Sequence, residues 1–329
     1  MNLAELNISD ILEGIFTNNV AIVSKAITII ESTKPEHRII ANQIITGCIS
    51  RKHDTLRIGI TGVPGAGKST FIEQFGNMLT EFGKKVAVLT VDPSSSKTKG
   101  SILGDKTRMQ ELVKNSNAYI RPSASGASLG GVTRKTRESI VILEAAGFEI
   151  ILIETIGVGQ SEIAVHGMVD FFLLLKLAGA GDELQGIKRG IIEMADSIVI
   201  TKADGNNVQR AATAQTEFTR ALHMFPLKEN GWSPQVLTCS ALEKKGLDEI
   251  WQMIYKYSQT MKQTGYLSKN RQKQNENWLM QHLEQEILLE FYQNPKIKKM
   301  LPLLKKEVIA GSTSPFLAAE KLLKALKTS

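Results

Sequence analysis

The sequence predicts an α/β protein with a mainly parallel, doubly wound sheet, because short apolar strands alternate with helical stretches between residues 55 and 258. These strands are apolar on both faces, which is typical of a parallel sheet covered by helices on each side. The seven candidate strands are RIGITG, KVAVLTVD, AYIRP, EIILIET, DFFLLLKLA, SIVITKAD and QVLTCSA. Helical periodicity flanks this segment. We therefore expect an N-terminal helical extension over 1–50, an α/β domain over 51–258 and a C-terminal helical arm over 259–329.

Composition is that of an ordinary globular protein and excludes several other classes. The 329 residues are 42% hydrophobic and 22% charged, and the most apolar runs are too short to span a membrane. The two cysteines, Cys48 and Cys239, form no CxxC pair. This argues against a disulfide framework or a cysteine metal site and predicts a cytoplasmic location. The N-terminal residues lack the pattern of a signal peptide.

The net charge of +7 is concentrated toward the C-terminus. Residues 251–329 hold 13 Lys and Arg against 6 Glu, whereas the first 250 residues hold 27 of each sign. Two interpretations remain open: these lysines cover solvated helix faces, or they form a docking surface for an acidic partner or a phosphorylated ligand. No aromatic residues accompany the lysines in the pattern typical of nucleic-acid binding, so we do not expect a nucleic-acid partner.

A phosphate-binding loop is predicted between the first strand and the next helix. Residues 62–69, GVPGAGKS, match the pattern GxxxxGK[ST]. Its glycines allow backbone N–H groups to face phosphate oxygens, and the helix N-terminus adds partial positive charge. We expect Lys68 to stabilise charge on the β- and γ-phosphates and Ser69 to place its hydroxyl on Mg²⁺. The predicted nucleotide contacts in this loop are Gly62, Val63, Pro64, Gly65, Ala66, Gly67, Lys68, Ser69 and Thr70.

The motif TKAD at residues 201–204 predicts guanine as the base. The carboxylate of Asp204 can accept hydrogen bonds from the N1–H and the 2-amino group of guanine, and adenine offers neither. The stem of Lys202 is expected to lie against the base. The segment formed by Ser240, Ala241 and Leu242 is expected to supply backbone N–H groups to guanine O6. Thr201 stands where GTPases commonly have an Asn that braces the phosphate loop.

Three carboxylates are candidates for the Mg²⁺ site and the hydrolytic centre. Asp92 and Glu154 end predicted strands, and Asp105 lies in SILGDKTRM. Because the carboxyl ends of parallel strands meet at one edge of a sheet, we expect these groups beside Ser69. One of them could also orient the attacking water, and the sequence does not say which. Helix capping is the alternative role for Asp92 and Glu154. Gln160 is either a water-positioning residue or an ordinary loop glutamine.

Several longer segments occur in a characteristic order: TGVPGAGKST, VDPSSSKTKGSILGDKTRM, RPSASGASLGGVTRKTRE, IETIGVGQSE, AGAGDELQGIKRGI, KADG and SALEKKGLDEIW. In order and spacing they resemble the MeaB/ArgK-type P-loop GTPases, bacterial relatives of the methylmalonic aciduria type A protein, within the signal-recognition/MinD-like class. The second and fifth segments are specific to that family, whereas the phosphate loop is generic. The resemblance covers nearly the whole chain.

The resemblance implies a GTP-hydrolysing chaperone of an adenosylcobalamin-dependent acyl-CoA mutase, most often methylmalonyl-CoA mutase. Such a protein gates loading of the cofactor and protects or reactivates the mutase. The resemblance also implies GTP or GDP and Mg²⁺ as cofactors, and a homodimer paired through the C-terminal arm. The residues that it places at the nucleotide and magnesium centre are Lys68, Ser69, Asp92, Asp105 and Glu154.

Residues 176–190, KLAGAGDELQGIKRG, form a second glycine-rich segment. From the residues alone, this segment is a strand-to-helix connection with Asp182 as the N-cap. By resemblance it is a third switch loop that contacts the client, in addition to switch loops at 92–108 and 154–162. The charged residues that would make those contacts are Asp182, Glu183, Lys188 and Arg189.

Two other functions are compatible with the same fold class. A nickel-insertion maturation GTPase would need Cys or His ligands near the nucleotide site or the N-terminus, and the sequence shows none there. A nucleotide-dependent targeting or scaffold protein, in which hydrolysis acts only as a timer, is not excluded. We expect a protein client, with neither nucleic acid nor a membrane as partner.

Overall fold

The structure is a computed structural model that describes residues 7–51, 53–91, 109–122, 129–155, 160–178 and 189–327. In this part of the chain, the strands are β1 Leu56–Gly62, β2 Val86–Val91, β3 Ala118–Arg121, β4 Ile150–Thr155, β5 Phe171–Leu177, β6 Ser197–Thr201 and β7 Gln235–Thr238. The helices are α1 Ile8–Phe16, α2 Val20–Glu31, α3 Pro35–Ile49, α4 Lys68–Glu81, α5 Gln110–Lys114, α6 Leu129–Ala145, α7 Gln160–His166, α8 Arg189–Met194, α9 Val208–Leu222, α10 Leu247–Gln263, α11 Tyr266–Gln293, α12 Pro295–Ile309 and α13 Pro315–Lys327. A short 3₁₀ helix covers Gly205–Asn207.

The seven strands form one sheet in the order β3-β2-β4-β1-β5-β6-β7. All neighbouring strands run parallel, and Ile60 of β1 lies opposite Glu154 of β4. The predicted parallel α/β fold and all seven predicted strands are therefore confirmed. The chain places β2, β3 and β4 on one side of β1 and then β5, β6 and β7 on the other, so the switch point of the sheet, where ligands bind in such folds, lies at the end of β1.

Helices cover both faces of the sheet because its strands are apolar on both sides. One face packs against α6, α7, α8 and α9, with Ile151 and Ile153 of β4 in this layer, and α1–α3 extend the same apolar cluster by packing mainly against α6. The other face packs against α4, α5 and α10, with Ile58 and Ile60 of β1 buried there. The alternation along each strand therefore decides which side chains can approach α4, the helix that follows the phosphate loop.

The chain divides into two compact units, residues 1–271 and 272–329. The N-terminal helices belong to the first unit, where Val23 and Ile44 are fully buried in the same apolar cluster as strand residues. Helix α10 also continues past the predicted domain end at 258, with Met261 buried in the second cluster. The predicted segments 1–50 and 51–258 thus belong to one compact unit. The division into these two segments stays a prediction.

The second unit contains a helical hairpin formed by α12 and α13. Asn294 caps α12 by accepting hydrogen bonds from the N–H groups of Lys296 and Ile297. The core of the hairpin is small and consists of Ile297, Leu304, Ala318 and Leu322. The second half of α11 carries large exposed apolar side chains at helical spacing: Leu279, Met280, Leu283, Ile287, Leu288 and Tyr292. Among the helices within the described ranges, none is both long and apolar enough to cross a bilayer.

Four charged residues form an ion-pair network at the amino edge of the sheet. Arg57 donates from Nε and Nη2 to the two carboxylate oxygens of Glu144 at 2.7 and 2.8 Å. Arg271 donates from the same two nitrogens to the carboxylate oxygens of Asp170 at 2.8 and 2.6 Å. The Asp170 carboxylate is fully buried and also accepts from the N–H of Arg57. Each of the two acids is thus compensated by a planar, two-point partner.

Candidate functional site

The phosphate loop leaves the central strand β1 at the carboxyl edge of the sheet and enters α4. Gly62 lies so close to β5 that a Cβ atom on it would be 2.4 Å from the carbonyl oxygen of Leu175. Gly67, the residue before α4, has a left-handed φ of 81°. Only glycine fits both conditions without strain. The strand, turn and helix that this motif requires are therefore present at the predicted place.

Lys68 is buried, with its ammonium group turned onto the loop. Its Nζ donates to the carbonyl oxygen of Gly62 at 2.8 Å and lies 3.3 Å from that of Val63. The lysine therefore holds a positive charge inside the segment that the sequence assigns to the phosphates. Pro64, Gly65 and Thr70 are exposed.

Ser69 and Glu154 meet beside the loop. The Ser69 hydroxyl lies 3.3 Å from Oε1 of Glu154, which is 4% exposed. Glu154 is part of β4 rather than the start of a helix, so the capping role considered for it is wrong. The contact arises because Ser69 lies in the first turn of α4 and Glu154 faces the same side of the sheet as that helix.

These two oxygen donors fit a Mg²⁺ ion. Mg²⁺ binds oxygen at 2.0–2.1 Å in an octahedron, which places adjacent ligands about 3 Å apart. The distance between Ser69 Oγ and Glu154 Oε1 is close to this value. Asp92 and Asp105, the other predicted ligands, lie outside the described residues. Within the described ranges, no three His, Cys, Asp or Glu side chains are grouped so that they could hold a metal.

Thr201 connects the predicted base motif to the phosphate loop. Its hydroxyl lies 2.7 Å from the carbonyl oxygen of Ala66 and 3.0 Å from that of Lys176. The side chain is buried and ends β6. The side chain of Thr201, although shorter than that of Asn, therefore reaches the loop directly. The contact that an Asn makes with the phosphate loop in other GTPases is made here by a hydroxyl group.

Lys202 and Asp204 follow this contact at the same edge. Lys202 has a left-handed φ of 55°, an uncommon conformation for a non-glycine residue that is typical of functional sites. Its carbonyl accepts from the side-chain amide of Asn207 at 2.8 Å. A methyl group placed on Gly67 would lie 3.8 Å from Cε of Lys202. The stem of this lysine thus passes beside the phosphate loop.

The Asp204 carboxylate is held by Ser240. The Ser240 hydroxyl donates to Oδ2 of Asp204 at 2.5 Å, and the serine is fully buried. The sequence placed both residues at the base but did not predict this bond, because neither motif indicates a contact with the other. The bond orients one carboxylate oxygen and leaves further lone pairs on the group as acceptors.

The segment 240–242 only partly matches its predicted role. The N–H of Ser240 donates to the carbonyl oxygen of Lys245 at 3.0 Å, so this donor is already used. For the N–H groups of Ala241 and Leu242, the described part of the chain contains no acceptor. Leu242 is strongly exposed. The N–H groups of Ala241 and Leu242 therefore remain as donors for a ligand.

With this geometry established, the chain can be compared with known proteins. The model of a family described as methylmalonyl Co-A mutase-associated GTPase MeaB matches residues 23–296. The chain belongs to this family. It is a P-loop GTPase related to the methylmalonic aciduria type A protein.

Individual relatives of the MeaB family agree with this assignment. A probable GTPase of Mycobacterium tuberculosis is 48% identical over 303 residues, which are 92% of this chain and 90% of the relative. GTPase ArgK of Escherichia coli is 47% identical over 274 residues, 83% of each chain. The mitochondrial methylmalonic aciduria type A homologue of Mus musculus is 45% identical over 325 residues, 96% of this chain and 78% of the homologue. A solved structure described as LAO/AO transport system kinase is 36% identical, with a TM-score of 0.76 and 99% of both chains covered.

Several predicted elements of this MeaB-family GTPase lie outside the described residues. They are the segment 92–108, residues 156–159 of the predicted second switch loop, and residues 179–188, which include Asp182, Glu183 and Lys188. Arg189 is the first residue of α8 and Gln160 the first of α7. The assignments of these positions stay predictions.

Sequence reasoning also missed one contact inside the site. Thr61 and Thr155, at the ends of the neighbouring strands β1 and β4, are joined by a hydrogen bond between their hydroxyl groups. The available signal was a threonine at the same point of two otherwise apolar strands. The two threonines do not predict a contact until the pairing of β1 with β4 is known, because the register of that pairing decides whether they are neighbours.

Proposed function

We propose that this GTPase binds GTP with Mg²⁺ and couples its hydrolysis to chaperoning an adenosylcobalamin-dependent acyl-CoA mutase. Methylmalonyl-CoA mutase is the first candidate client, since the family description names this enzyme and the mouse relative is named for methylmalonic aciduria. The GTPase would gate loading of the cofactor and protect or reactivate the mutase. A cytoplasmic location remains a prediction from the use of cysteine.

The observation that carries the nucleotide part of the proposal is the bond from Thr201 to the carbonyl oxygen of Ala66. It joins the motif that reads the base to the loop that holds the phosphates. The ligand we infer therefore spans both elements, with a base at one end and a phosphate chain at the other. A bare phosphate or a phosphorylated peptide would use only the loop.

In this proposal the phosphate loop supplies most of the charge stabilisation. The N-terminus of α4 and the loop N–H groups bind the phosphates, and Lys68 neutralises the negative charge that develops on the γ-phosphate. Its ammonium group is already placed at the loop by two carbonyl oxygens, which phosphate oxygens would replace as partners when a nucleotide enters. Lys68 is therefore the residue whose loss should reduce hydrolysis most.

Ser69 and Glu154 are proposed to hold the metal, with Asp92 and Asp105 as further ligands. Mg²⁺, when bound, would neutralise charge on the β- and γ-phosphates. The contact between Ser69 Oγ and Glu154 Oε1 favours this role, because two oxygen donors at this distance fit adjacent positions around the ion. Glu154, Asp92 and Asp105 are also the candidates for orienting the attacking water.

Asp204 is proposed to select guanine. Ser240 fixes its orientation, and the remaining lone pairs of the carboxylate can accept from the N1–H and 2-amino groups of guanine. Adenine offers no donor at either position, so the half-buried carboxylate would remain without a partner. The stem of Lys202 would cover one face of the base.

The mutase role is tested by GTP turnover measured with and without purified methylmalonyl-CoA mutase. We expect the mutase to raise turnover, and we expect Lys188→Ala to reduce this stimulation while GTP affinity stays intact. Equal turnover with and without the mutase and with other cobalamin-dependent acyl-CoA mutases would contradict the client assignment. Recovery of a ribosome or a membrane receptor from extract would instead favour the targeting function, and nickel-dependent turnover the maturation function.

We further propose that the protein is a homodimer paired through its C-terminal arm. Leu279, Leu283 and Ile287 on α11 are 65, 47 and 56% exposed and lie at helical spacing. A contiguous apolar stripe of this kind is typical of a helix-to-helix interface. Light scattering should show a dimer that Leu283→Glu dissociates and that Gln281→Glu, an exposed polar control on the same helix, leaves intact. A wild-type monomer would contradict this proposal.

A further inference from the structure

Two buried hydroxyl groups link the strands that carry the two parts of the proposed site. Thr155 Oγ1 donates to Thr61 Oγ1 at 2.9 Å, and the two residues are 0 and 1% exposed. Thr61 directly precedes Gly62 of the phosphate loop, and Thr155 directly follows Glu154. The register of β1 and β4 sets Ile60 opposite Glu154, so the two threonines are the next aligned positions.

We propose that this hydroxyl pair is a positioning contact for GTP hydrolysis. It fixes the end of β4, and with it Glu154, relative to the strand from which the phosphate loop begins. The inference rests on the proposed roles of Ser69 and Glu154, whose oxygen atoms lie 3.3 Å apart. A small slide of β4 along β1 changes this distance directly, because the two groups are carried by different elements.

Packing alone does not require hydroxyl groups at these positions. On the same face of these strands, the preceding residues are Gly59 on β1 and Ile151 and Ile153 on β4. The pair has two hydroxyl protons, and a single bond between the oxygens uses one of them. Within the described residues, the other proton has no acceptor. Two valines would fill a similar volume without burying hydroxyl groups.

Replacing both partners of a buried hydrogen bond by apolar groups of the same shape is nearly neutral or stabilising, so stability alone does not require this pair. A positioning role and a packing role predict different outcomes for the double variant Thr61→Val/Thr155→Val. If the pair positions Glu154, the double variant should be at least as stable as wild type but slower. If the pair only packs, stability and turnover should change together or not at all.

The test is steady-state GTP hydrolysis and thermal unfolding of Thr155→Val, the double variant and Thr155→Ser. We expect kcat to fall about tenfold in the first two, with KM for GTP changed less than about twofold, because misplacement by 1 Å costs about a hundredfold. The single and double variants should be equally slow, since each removes the same bond. Thr155→Ser keeps the hydroxyl and should retain most of the wild-type kcat.

Thr55→Val is the matched control. Thr55 is 2% exposed and donates from its hydroxyl to the carbonyl oxygen of Phe148 at 2.7 Å, but it precedes β1 at the amino edge. It should lose stability and keep its kcat. A wild-type kcat in the folded double variant, a slow Thr155→Ser, or an equal loss of kcat in Thr55→Val would each overturn the inference. Wild-type protein that hydrolyses no GTP would instead refute the proposed function.

Discussion

The two edges of the sheet hold charged side chains in different ways. At the amino edge, Arg57 and Arg271 each pair with a carboxylate through two hydrogen bonds. At the carboxyl edge, the described contacts of Lys68 are with backbone carbonyl oxygens, and that of Glu154 is with a serine hydroxyl at 3.3 Å. Two-point ion pairs therefore hold the charges at the amino edge, whereas at the carboxyl edge Lys68 and Glu154 make contacts with carbonyl and hydroxyl groups of the loop and of α4.

This difference separates stability from chemistry within one sheet. Breaking one partner of a buried ion pair leaves a charge without compensation, so the amino edge is expected to resist change. The carbonyl and hydroxyl contacts of Lys68 and Glu154 can be exchanged for contacts with a ligand at a smaller cost, so the carboxyl edge is suited to bind and release a charged nucleotide. Substitutions at the two edges should accordingly affect different measurements.

The largest effect is expected for Lys68→Ala at the carboxyl edge. Without its ammonium group, charge on the γ-phosphate is not stabilised, and GTP turnover should fall by at least about a hundredfold. Lys84→Ala is the control, because Lys84 forms a half-exposed pair with Glu149 at 3.1 Å and should keep its turnover. Unchanged hydrolysis in Lys68→Ala would refute the phosphate-loop assignment.

At the amino edge, Arg271→Met should lower stability rather than turnover. The substitution keeps an apolar stem but leaves the fully buried Asp170 carboxylate without its two-point partner. Loss of one partner of a buried pair costs about 3–5 kcal/mol, which urea unfolding would measure. Lys262→Met, which breaks a pair with the largely exposed Asp54, should change stability little. An Arg271→Met variant with wild-type stability and reduced kcat would reverse the proposed division between the edges.

Thr201→Val tests the contact that joins the base motif to the phosphate loop. Loss of the hydroxyl leaves the carbonyl oxygen of Ala66 without this donor. The cost of about 1 kcal/mol corresponds to a rise of about fivefold in Kd for GTP. Thr201→Ser should restore affinity, as isothermal titration with GTP would show. Equal affinity in all three proteins would mean that the contact does not support binding.

The smallest effect concerns His166, which packs edge-on against Phe172. Burial, the largest cause, lowers the pKa of His166 below its usual value. The folded state therefore favours the neutral ring, and the unfolded state binds more protons near pH 6. The stability that the neutral His166 ring contributes is fully present above about pH 6.5 and is lost as the pH falls below this value. The drop in Tm between pH 7.5 and 5.5 should be smaller in His166→Gln, and an identical drop would contradict this reading.

Much of the site could be predicted because its signals are local. The phosphate loop, the TKAD motif and the strand ends are short patterns, and the residues of each pattern that act together are close in sequence. Apolar strands on both faces likewise indicated a parallel sheet before any pairing was known. The strand order could not be obtained in this way, because it depends on contacts between segments that are distant in sequence.

The contacts that the sequence did not predict all join segments that are distant in sequence. Arg271 lies 101 residues from Asp170, in a polar stretch without apolar periodicity. The bond from Ser240 to Asp204 joins two motifs that were each identified separately. Helical periodicity in segment 1–50 showed that one face is buried but not that its main partner is α6, which covers the sheet. Local patterns thus identify chemical groups, while the fold decides which groups meet.

The most direct test of the central claim, that the carboxyl edge is a guanine-nucleotide site, is base selection by Asp204→Asn. Initial hydrolysis rates with GTP, ATP and xanthosine triphosphate would be compared in this variant and in wild type. We predict that wild type prefers GTP and that Asp204→Asn loses at least about tenfold in kcat/KM for GTP. The variant should gain with xanthosine triphosphate, since an amide N–H can donate to its 2-oxo group. Guanine preference that survives unchanged in Asp204→Asn would contradict the account.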